Sequence, residues 1–371
     1  MNSKTIGILA AIIVCSVVIV YVSDRPAESA DPLLGTPVLP DLKNRLEEVR
    51  EVDIVSREGD VMLALREDFW VVANRDDYPA SFDKLSDLLD NLTEANIAER
   101  KTGKPEYFDR LGLRDLDHQE SQAVRVKIVT GAEEPLELLV GKAATNREGQ
   151  YFRFTAEQQA WLMSTQLDVE AKAEDWLKPT IINIESERVT KVTQTSASGE
   201  QLTVVREGGE EENFEVVDLP AGKKLKYGTV ANALGRSLVN VRLKDVKKAD
   251  GFDLSGSGKA EYWCKDGLVI RVLAKEMDGQ YYLNFAVDTD VIEEVAGEAS
   301  DEQDSGEDSE SELASEEESD QISLPEEVAT LKRDLDSWVF EVTQFTFEDF
   351  TKTLDDLVEE EEEPAESTDS Q

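Results

Sequence analysis

The side chains that could do acid–base or nucleophilic chemistry are few in this sequence. His118 is the only histidine among the 371 residues, and it stands between Asp117 and Gln119. It could act as a general base, but a solvated loop position is the favoured interpretation. Outside the apolar N-terminus the chain has one cysteine, Cys264. A zinc site therefore lacks ligands, and a Ser-His-Asp triad has one candidate base.

Three further patterns resemble reactive motifs but fit ordinary structure better. Gly256-Ser257-Gly258 lacks the flanking glycines of a nucleophile elbow or a phosphate loop, and it predicts a flexible turn. Cys264 follows Trp263 in an apparent strand, which is typical of a small core residue. The acidic residues 301–308 lack the ligand alternation of a calcium-binding EF-hand loop. The sequence therefore predicts no enzyme, and no catalytic, cofactor-binding or metal-binding residue.

Two groups of side chains leave alternatives open. A carboxylate-based hydrolase would need two acids about 5–10 Å apart in a cleft, and it stays a remote alternative. The tryptophans could line a ligand groove, but their places in predicted elements favour core packing. They are Trp70, Trp161, Trp176, Trp263 and Trp338.

The charge of the chain excludes one class of partner. The formal net charge is −42, from 39 basic and 81 acidic residues. Residues 293–320 hold 14 acidic side chains and residues 355–371 hold nine, with no basic residue in either tract. Nucleic-acid binding requires clustered Lys and Arg, so we expect no nucleic-acid partner. An anionic lipid surface is disfavoured for the same reason.

The N-terminus predicts attachment to a membrane. Residues 6–22 are 17 residues without a charge, which as a helix would extend about 26 Å, at the short end of a bilayer span. We interpret them as a single-pass signal anchor in a bacterial inner membrane, with the remainder in the periplasm. Cleavage after Ala30 and a buried core helix are the alternatives. Lipidation at Cys15 is disfavoured, because Val14 is not the small residue that a lipoprotein signal has before its cysteine.

An internal repeat organises the remainder of the chain. The first matches share an offset of 140 residues, and five extra residues (208–212) then raise the offset to 145. A constant offset across a strand, a turn and a helix indicates duplication. The matches are Val52 to Val192, Gly59 to Gly199, Arg66-Glu67 to Arg206-Glu207, Phe69–Val72 to Phe214–Val217, Phe82 to Tyr227, and Leu89 to Leu234.

Each copy predicts strands followed by a helix and further strands. Gly59 is predicted to need a positive φ in a hairpin turn. Ser81 is the predicted N-cap of a helix that carries the leucines of residues 82–92 on one face, with a counterpart over residues 227–241. Thr155 and Gln158 suggest a capping box that opens a helix through Trp161. Alternation predicts strands at Val61–Leu65, Val124–Ile128, Leu136–Val140, Leu268–Val272, Tyr281–Val287 and Trp338–Val342.

We therefore predict an α+β protein in which two similar lobes of antiparallel sheet, with covering helices, follow a transmembrane helix. A final helix is expected from Phe347 to Leu357, with Thr346 as its cap. The predicted segments are 1–23, the anchor; 24–44, an extended linker; 45–175, the first repeat; 176–292, the second repeat; 293–324, a disordered acidic insert; 325–358, a strand and helix completing the second lobe; and 359–371, an acidic tail.

Several short motifs occur in the order seen in the bacterial domain-of-unknown-function family 4340, which the chain resembles over most of residues 45–358. They are the N-terminal anchor, Phe69–Val72, the helix of residues 79–92, Leu111-Gly112-Leu113, Leu138–Gly141, Tyr151-Phe152-Arg153 and Trp338-Val339-Phe340. The acidic insert before Trp338 departs from the compact family pattern. The resemblance implies an envelope protein of unknown activity, in some members an accessory of gliding-motility-type ABC transporters.

The expected function is therefore interaction without bond chemistry. We expect a membrane-anchored scaffold that contacts other envelope proteins, with ABC transporter subunits as the partner that the resemblance implies. A glycan- or peptide-binding module outside the cytoplasm is the alternative.

Overall fold

The computed structural model describes residues 31–131, 134–207, 212–290 and 323–359. The predicted anchor, the acidic insert up to residue 322 and the tail from residue 360 lie outside these ranges. Within them, no helix has both the length and the apolar character needed to cross a membrane. The chain divides into two compact units, unit 1 (Met1–Asn74 and Pro79–Trp176) and unit 2 (Arg75–Tyr78 and Leu177–Gln371).

Unit 1 is built on a nine-stranded sheet in the order β4-β3-β2-β1-β6-β7-β8-β9-β5. Its strands are β1 (Glu51–Val55), β2 (Asp60–Arg66), β3 (Phe69–Val72), β4 (Tyr78–Pro79), β5 (Ile97–Arg100), β6 (Val124–Val129), β7 (Leu136–Ala143), β8 (Gln150–Phe154) and β9 (Ala160–Met163). Its helices are α1 (Phe82–Glu94) and α2 (Phe108–Leu111), with 3-10 turns at Leu42–Glu48, Ala73–Arg75, Pro105–Tyr107 and Ala173–Trp176.

Unit 2 is built on an eight-stranded sheet in the order β13-β12-β11-β16-β17-β18-β19-β15, and β10 pairs with β14 separately. The strands are β10 (Thr180–Ile182), β11 (Val189–Thr195), β12 (Gln201–Val205), β13 (Glu215–Val216), β14 (Val241–Arg242), β15 (Asp245–Lys248), β16 (Gly258–Cys264), β17 (Leu268–Met277), β18 (Gln280–Thr289) and β19 (Trp338–Val342). The helices are α3 (Asn232–Gly235), α4 (Leu324–Leu335), α5 (Gln344–Asp349) and α6 (Leu354–Leu357), with a 3-10 turn at Ser186–Arg188.

The described pairings of both sheets are antiparallel, and helices accompany them, so the fold class is α+β. The two sheets also have one topology. In unit 1, three strands form one side (β3-β2-β1), the chain crosses to the far edge (β5), and it returns through β6 to β9. Unit 2 repeats this path with β13-β12-β11, then β15, then β16 to β19. A duplicated unit gives this arrangement.

The strand register corrects the details of the predicted repeat. Val55 pairs with Asp60 and Thr195 pairs with Gln201, so the hairpin turns hold four residues (56–59) and five residues (196–200). Val52 and Val192 still correspond. Beyond the turn, however, Leu63 corresponds to Val204 rather than Thr203. The predicted offset is therefore wrong by one residue after the hairpin.

Gly59 has a different role from the predicted one. Its φ is not positive, whereas Gly199 has a φ of 91°. A Cβ on Gly59 would lie 2.5 Å from the carbonyl oxygen of Ala171. Glycine is needed there because another backbone segment passes close to the turn.

The predicted linker is wrong over its C-terminal half. Val38, Leu39 and Leu42 are buried, and the Gly35 N–H donates to the Ile97 carbonyl at 2.8 Å. The apolar side chains explain this docking, because an extended spacer would leave them in water. Leu42 also opens a 3-10 helix, Leu42–Glu48.

Two predicted helices are wrong. Residues 160–163 form β9 instead of a helix through Trp161, because this segment pairs with β8 and β5 and all four of its side chains are buried. Thr155 Oγ1 donates to Glu137 rather than capping a helix. In residues 227–241 only one helical turn forms, α3. That stretch contains two glycines and two asparagines, which are poor helix formers, and Asn240 has a φ of 50°.

The C-terminal segment is corrected as well. Helix α4 begins at Leu324, inside the predicted insert, and Ser323 and Glu326 form its capping box. The predicted single helix of residues 347–357 is two short helices, α5 and α6. Thr343, rather than Thr346, caps the first, accepting from the Thr346 N–H at 3.1 Å. Thr353 caps the second, so the chain breaks between them.

Candidate functional site

His118 lies on the surface of unit 1, in the loop before β6. Its Nδ1 accepts from the Glu120 N–H at 3.2 Å, and Arg114 Nη1 lies 3.0 Å from its Nε2. The ring therefore takes part in a local turn network. His118 is not among the residues that line the cavities described below.

The other predicted candidates have structural surroundings. Cys264 is buried at the end of β16, and burial raises the pKa of its thiol to about 12. A thiol with so high a pKa is a poor nucleophile near neutral pH. Ser257 Oγ donates to the Leu254 carbonyl at 2.7 Å, and Gly256 has a φ of 68°. This segment is an ordinary turn.

Three of the five tryptophans are buried in the core, and two are half-buried. Trp161, Trp176 and Trp338 are buried. Trp263 is half-buried, and Lys191 Nζ lies 4.4 Å from its ring centroid. Trp70 is also half-buried, and it is the one that lines a described groove.

Among the described residues, four carboxyl groups have a displaced pKa, and in each it is lowered. The Lys101 ammonium lowers the pKa of Glu99 by a hydrogen bond, and Arg271 does so for Asp288. A hydrogen bond with Ser255 lowers the pKa of Asp253, and a hydrogen bond with Lys223 lowers the pKa of Asp355. A general acid needs a raised pKa instead. Within the described ranges, no group of three or more His, Cys, Asp or Glu side chains could hold a metal ion.

An apolar groove of about 310 Å³ opens on unit 1. Its floor comes from the sheet, where Leu65 and Trp70 pair across β2 and β3, and one wall is α1. Phe82, the first residue of α1, is 62% exposed at this groove. The lining residues are Leu46, Glu47, Val49, Arg50, Leu65, Trp70, Phe82, Leu85, Ser86, Leu89 and Asp90. We call this the α1 groove.

A second cavity of unit 1 is larger and more polar, about 460 Å³. Three short backbone segments line it: the hairpin turn Ser56–Glu58, the approach to β6 at Ser121–Val124, and the segment Leu167–Lys172 that follows β9. We call this the hairpin cleft. Lys84 Nζ lies 3.3 Å from an Asp168 carboxylate oxygen and 3.7 Å from one of Glu170, which neutralises part of its acidic rim.

Neither cavity is predicted from the sequence. The α1 groove combines residues of the 3-10 helix Leu42–Glu48 and the chain just after it, two strands and α1, and no local pattern joins them. The hairpin cleft did have a visible signal. Leu167, Val169, Ala171 and Ala173 are apolar at every second position, which is the period of a strand.

The fold is that of an α+β protein whose two units share one sheet topology. Of the side chains singled out from the sequence, His118 and Ser257 lie in turns and Cys264 is buried. Comparison with known proteins then places the protein. A family model described as "Domain of unknown function (DUF4340)" matches residues 70–256, and the chain belongs to this family. No curated protein matches the sequence, and no solved structure matches it.

Proposed function

We propose that this protein is a membrane-anchored envelope scaffold that recognises another envelope protein through the α1 groove. In this proposal residues 6–22 hold the chain in the bacterial inner membrane and the two units lie in the periplasm. The uncharged N-terminal run supports the anchor. The partner that the family resemblance implies is a subunit of an ABC-type export or gliding-motility-like complex.

The observation that carries the proposal is the exposure of Phe82 beside an apolar groove. The Phe82 side chain is 62% exposed, so most of its apolar surface stays in water and does not contribute the free energy that burial would give. Partner binding would recover this free energy. The groove is large enough for an apolar anchor side chain, and such anchors dominate protein–protein binding energy. The rim residues Glu47, Arg50 and Asp90 can orient the partner by charge.

The test is recovery of partners with the full-length protein. Cells producing it at native abundance are crosslinked, the protein is purified in mild detergent, and co-purifying proteins are identified by mass spectrometry. We expect transporter or other envelope subunits with the wild type. Phe82→Glu should reduce their recovery at least fivefold, because a carboxylate cannot enter an apolar groove without losing its hydration.

Phe345→Glu is the matched control, because Phe345 is 76% exposed and lies in unit 2. It should leave recovery unchanged. Deletion of residues 1–22 should abolish recovery from the membrane fraction. Recovery of the protein alone, or equal losses in the two phenylalanine variants, would contradict the proposal.

A further inference from the structure

Two consecutive leucines are exposed near the start of the described chain. Leu33 is 46% exposed and Leu34 is 39% exposed. Single apolar residues scattered over a surface are usual, but two neighbours on one turn form a continuous apolar tip. We call residues 32–35 the leucine turn. Its apolar side chains stabilise the protein only where they leave water.

Hydrogen bonds fix the shape of the leucine turn. The Leu34 N–H donates to the Asp31 carbonyl at 3.0 Å, and the Thr36 N–H donates to the Leu33 carbonyl at 3.1 Å. Thr36 Oγ1 donates to the same Leu33 carbonyl at 2.7 Å. Gly35 has a φ of 80°, which suits glycine. Because the turn is already ordered, its insertion into another phase would cost little conformational entropy.

The backbone of the leucine turn is also joined to the sheet of unit 1. The Gly35 N–H donates to the Ile97 carbonyl at 2.8 Å, and the Ile97 N–H donates to the Thr36 carbonyl at 2.9 Å. Val38 and Leu39, which follow, are buried. Whatever holds the leucine turn therefore also holds β5 and unit 1.

The charges beside the turn suit a lipid interface, although the chain as a whole is acidic. The Asp31 carboxylate is partly buried, pairs with Arg100 at 3.2 Å and accepts from the Leu33 N–H at 3.1 Å. Its negative charge is thus compensated. Arg100 is exposed, and a guanidinium binds phosphate groups well, including those of lipid headgroups.

The place of the turn in the chain indicates which phase it meets. The proposed anchor ends at residue 22, and the eight residues 23–30 separate it from Asp31. Eight residues can extend at most about 29 Å. A tether this short keeps the leucine turn close to the bilayer surface, so that lipid is present at a high effective concentration.

We infer that the leucine turn inserts Leu33 and Leu34 into the interface of the bilayer that holds the anchor, and so fixes the orientation of unit 1 on the membrane. The inference rests on the proposed anchor and is independent of the α1 groove. Apolar side chains leave water when they enter the boundary between headgroups and acyl chains. Burial of the exposed parts of both leucines favours this contact roughly tenfold or more, and it requires no anionic lipid.

The test uses vesicles of phosphatidylcholine whose acyl chains carry a photoactivatable diazirine. The full-length wild type is reconstituted in them and illuminated, and lipid adducts are mapped by mass spectrometry. We expect adducts in residues 6–22, from the anchor, and in residues 32–35, from the leucine turn. Met62 is the internal reference, because it lies in unit 1 and is 46% exposed, as Leu33 is. It should carry no adduct.

The double variant Leu33→Ser/Leu34→Ser separates apolar insertion from mere closeness to the bilayer. Both side chains are exposed, so the variant should fold as the wild type does. Adducts in residues 32–35 should fall at least about threefold, because the gain from apolar burial is lost, while those in residues 6–22 remain. Met62→Ser is the matched control and should change neither set.

The outcomes distinguish the inference from the proposed function. Adducts in residues 6–22 without adducts in residues 32–35 would overturn the inference and leave the anchor standing. Adducts in residues 32–35 that persist in the double variant would also overturn it. Absence of adducts in residues 6–22 would overturn the anchor and the inference together.

Discussion

Replacing Arg153 by methionine should destabilise unit 1 strongly. Arg153 lies on β8 with its side chain 4% exposed, and its guanidinium carbon is 5.2 Å from the ring centroid of Phe108. Nε donates to the Leu113 carbonyl at 3.2 Å and Nη1 to the Glu157 carbonyl at 3.1 Å. Nη2 pairs with Asp115. The arginine therefore holds two loops to β8.

The magnitude follows from these contacts. A hydrogen bond from a charged donor contributes about 1.5–3 kcal/mol, so the two carbonyl contacts give roughly 3–6 kcal/mol. Methionine keeps much of the apolar volume, and removing a buried charge relieves its desolvation cost. The exposed carboxylate of Asp115 regains water and adds little. We expect a net loss of about 3 kcal/mol in the free energy of unfolding of unit 1.

The assay is native-state hydrogen exchange of the full-length protein, read by mass spectrometry in increasing urea. Two units make one global unfolding free energy ill-defined, so peptides from β6 to β9 report unit 1 and peptides from β16 to β18 serve as the internal reference. Arg147→Met is the matched control. Arg147 is 56% exposed and pairs with Glu99, so its loss should change stability by less than about 1 kcal/mol. If both variants lose the same small amount, the assigned role of Arg153 is wrong.

Two further predictions concern packing and ionisation. Gly141→Ala should destabilise unit 1 by about 1–3 kcal/mol, because its Cβ would overlap the Leu111 carbonyl and lie 2.9 Å from Leu113 Cδ2; Gly228→Ala, with no atom within 4 Å, should change stability little in the same exchange assay. Cys264 has its pKa raised to about 12 by burial, so its stabilising contribution is complete below the unfolded pKa, about 8.5, and is lost as pH rises from there toward 12. The free energy of unfolding of unit 2 should then fall more steeply over pH 9–11 in the wild type than in Cys264→Ala; parallel curves would contradict this.

The parts of the fold that the sequence predicts are those where one face of an element is buried. The alternation of Val61–Leu65 lies in β2, that of Leu268–Val272 lies in β17, and the leucines of residues 82–92 lie in α1. In each case a single period describes the element, because packing on one side selects the apolar positions.

Prediction fails where local signals compete with tertiary contacts. Thr155 and Gln158 look like a helix cap, but Trp161 and its neighbours are buried between two strands, and burial outweighs a capping preference of about 1 kcal/mol. Helix α4 is missed for the opposite reason. Its first turn contains Glu326 and Glu327, just after the predicted acidic insert, so the acids gave no sign of a helix start although acids favour a helix N-terminus.

The candidate surfaces are less predictable than the strands, because they depend on which groups lack a neighbour. A sequence shows apolar alternation at Leu167–Ala173, and it does not show that no strand lies beside it. The α1 groove likewise exists because Leu46 and Phe82, from separate elements, leave space between them. A surface cavity forms where segments distant in sequence pack together, so the spacing of apolar residues along the sequence does not predict it.

The two units differ in the segment that follows β9 in unit 1 and β19 in unit 2. After β19, the strand equivalent to β9, unit 2 continues into α5 and Phe350, which is 1% exposed and packs edge-on against Tyr262 and Phe285. Gln194, the counterpart of Ile54, donates to the Asp349 carbonyl at 2.8 Å. The segment after the last strand of unit 2 is thus tied to its own sheet by a ring and a polar contact.

In unit 1 the equivalent strand β1 has an aliphatic side chain, Ile54, where unit 2 has that amide. The following segment of unit 1, Leu167–Lys172, contributes small and aliphatic side chains to the core, and its Ala171 carbonyl lies against Gly59 of the hairpin turn. Unit 1 therefore covers this position with an irregular segment and a close backbone approach, whereas unit 2 covers it with a helix and an aromatic side chain.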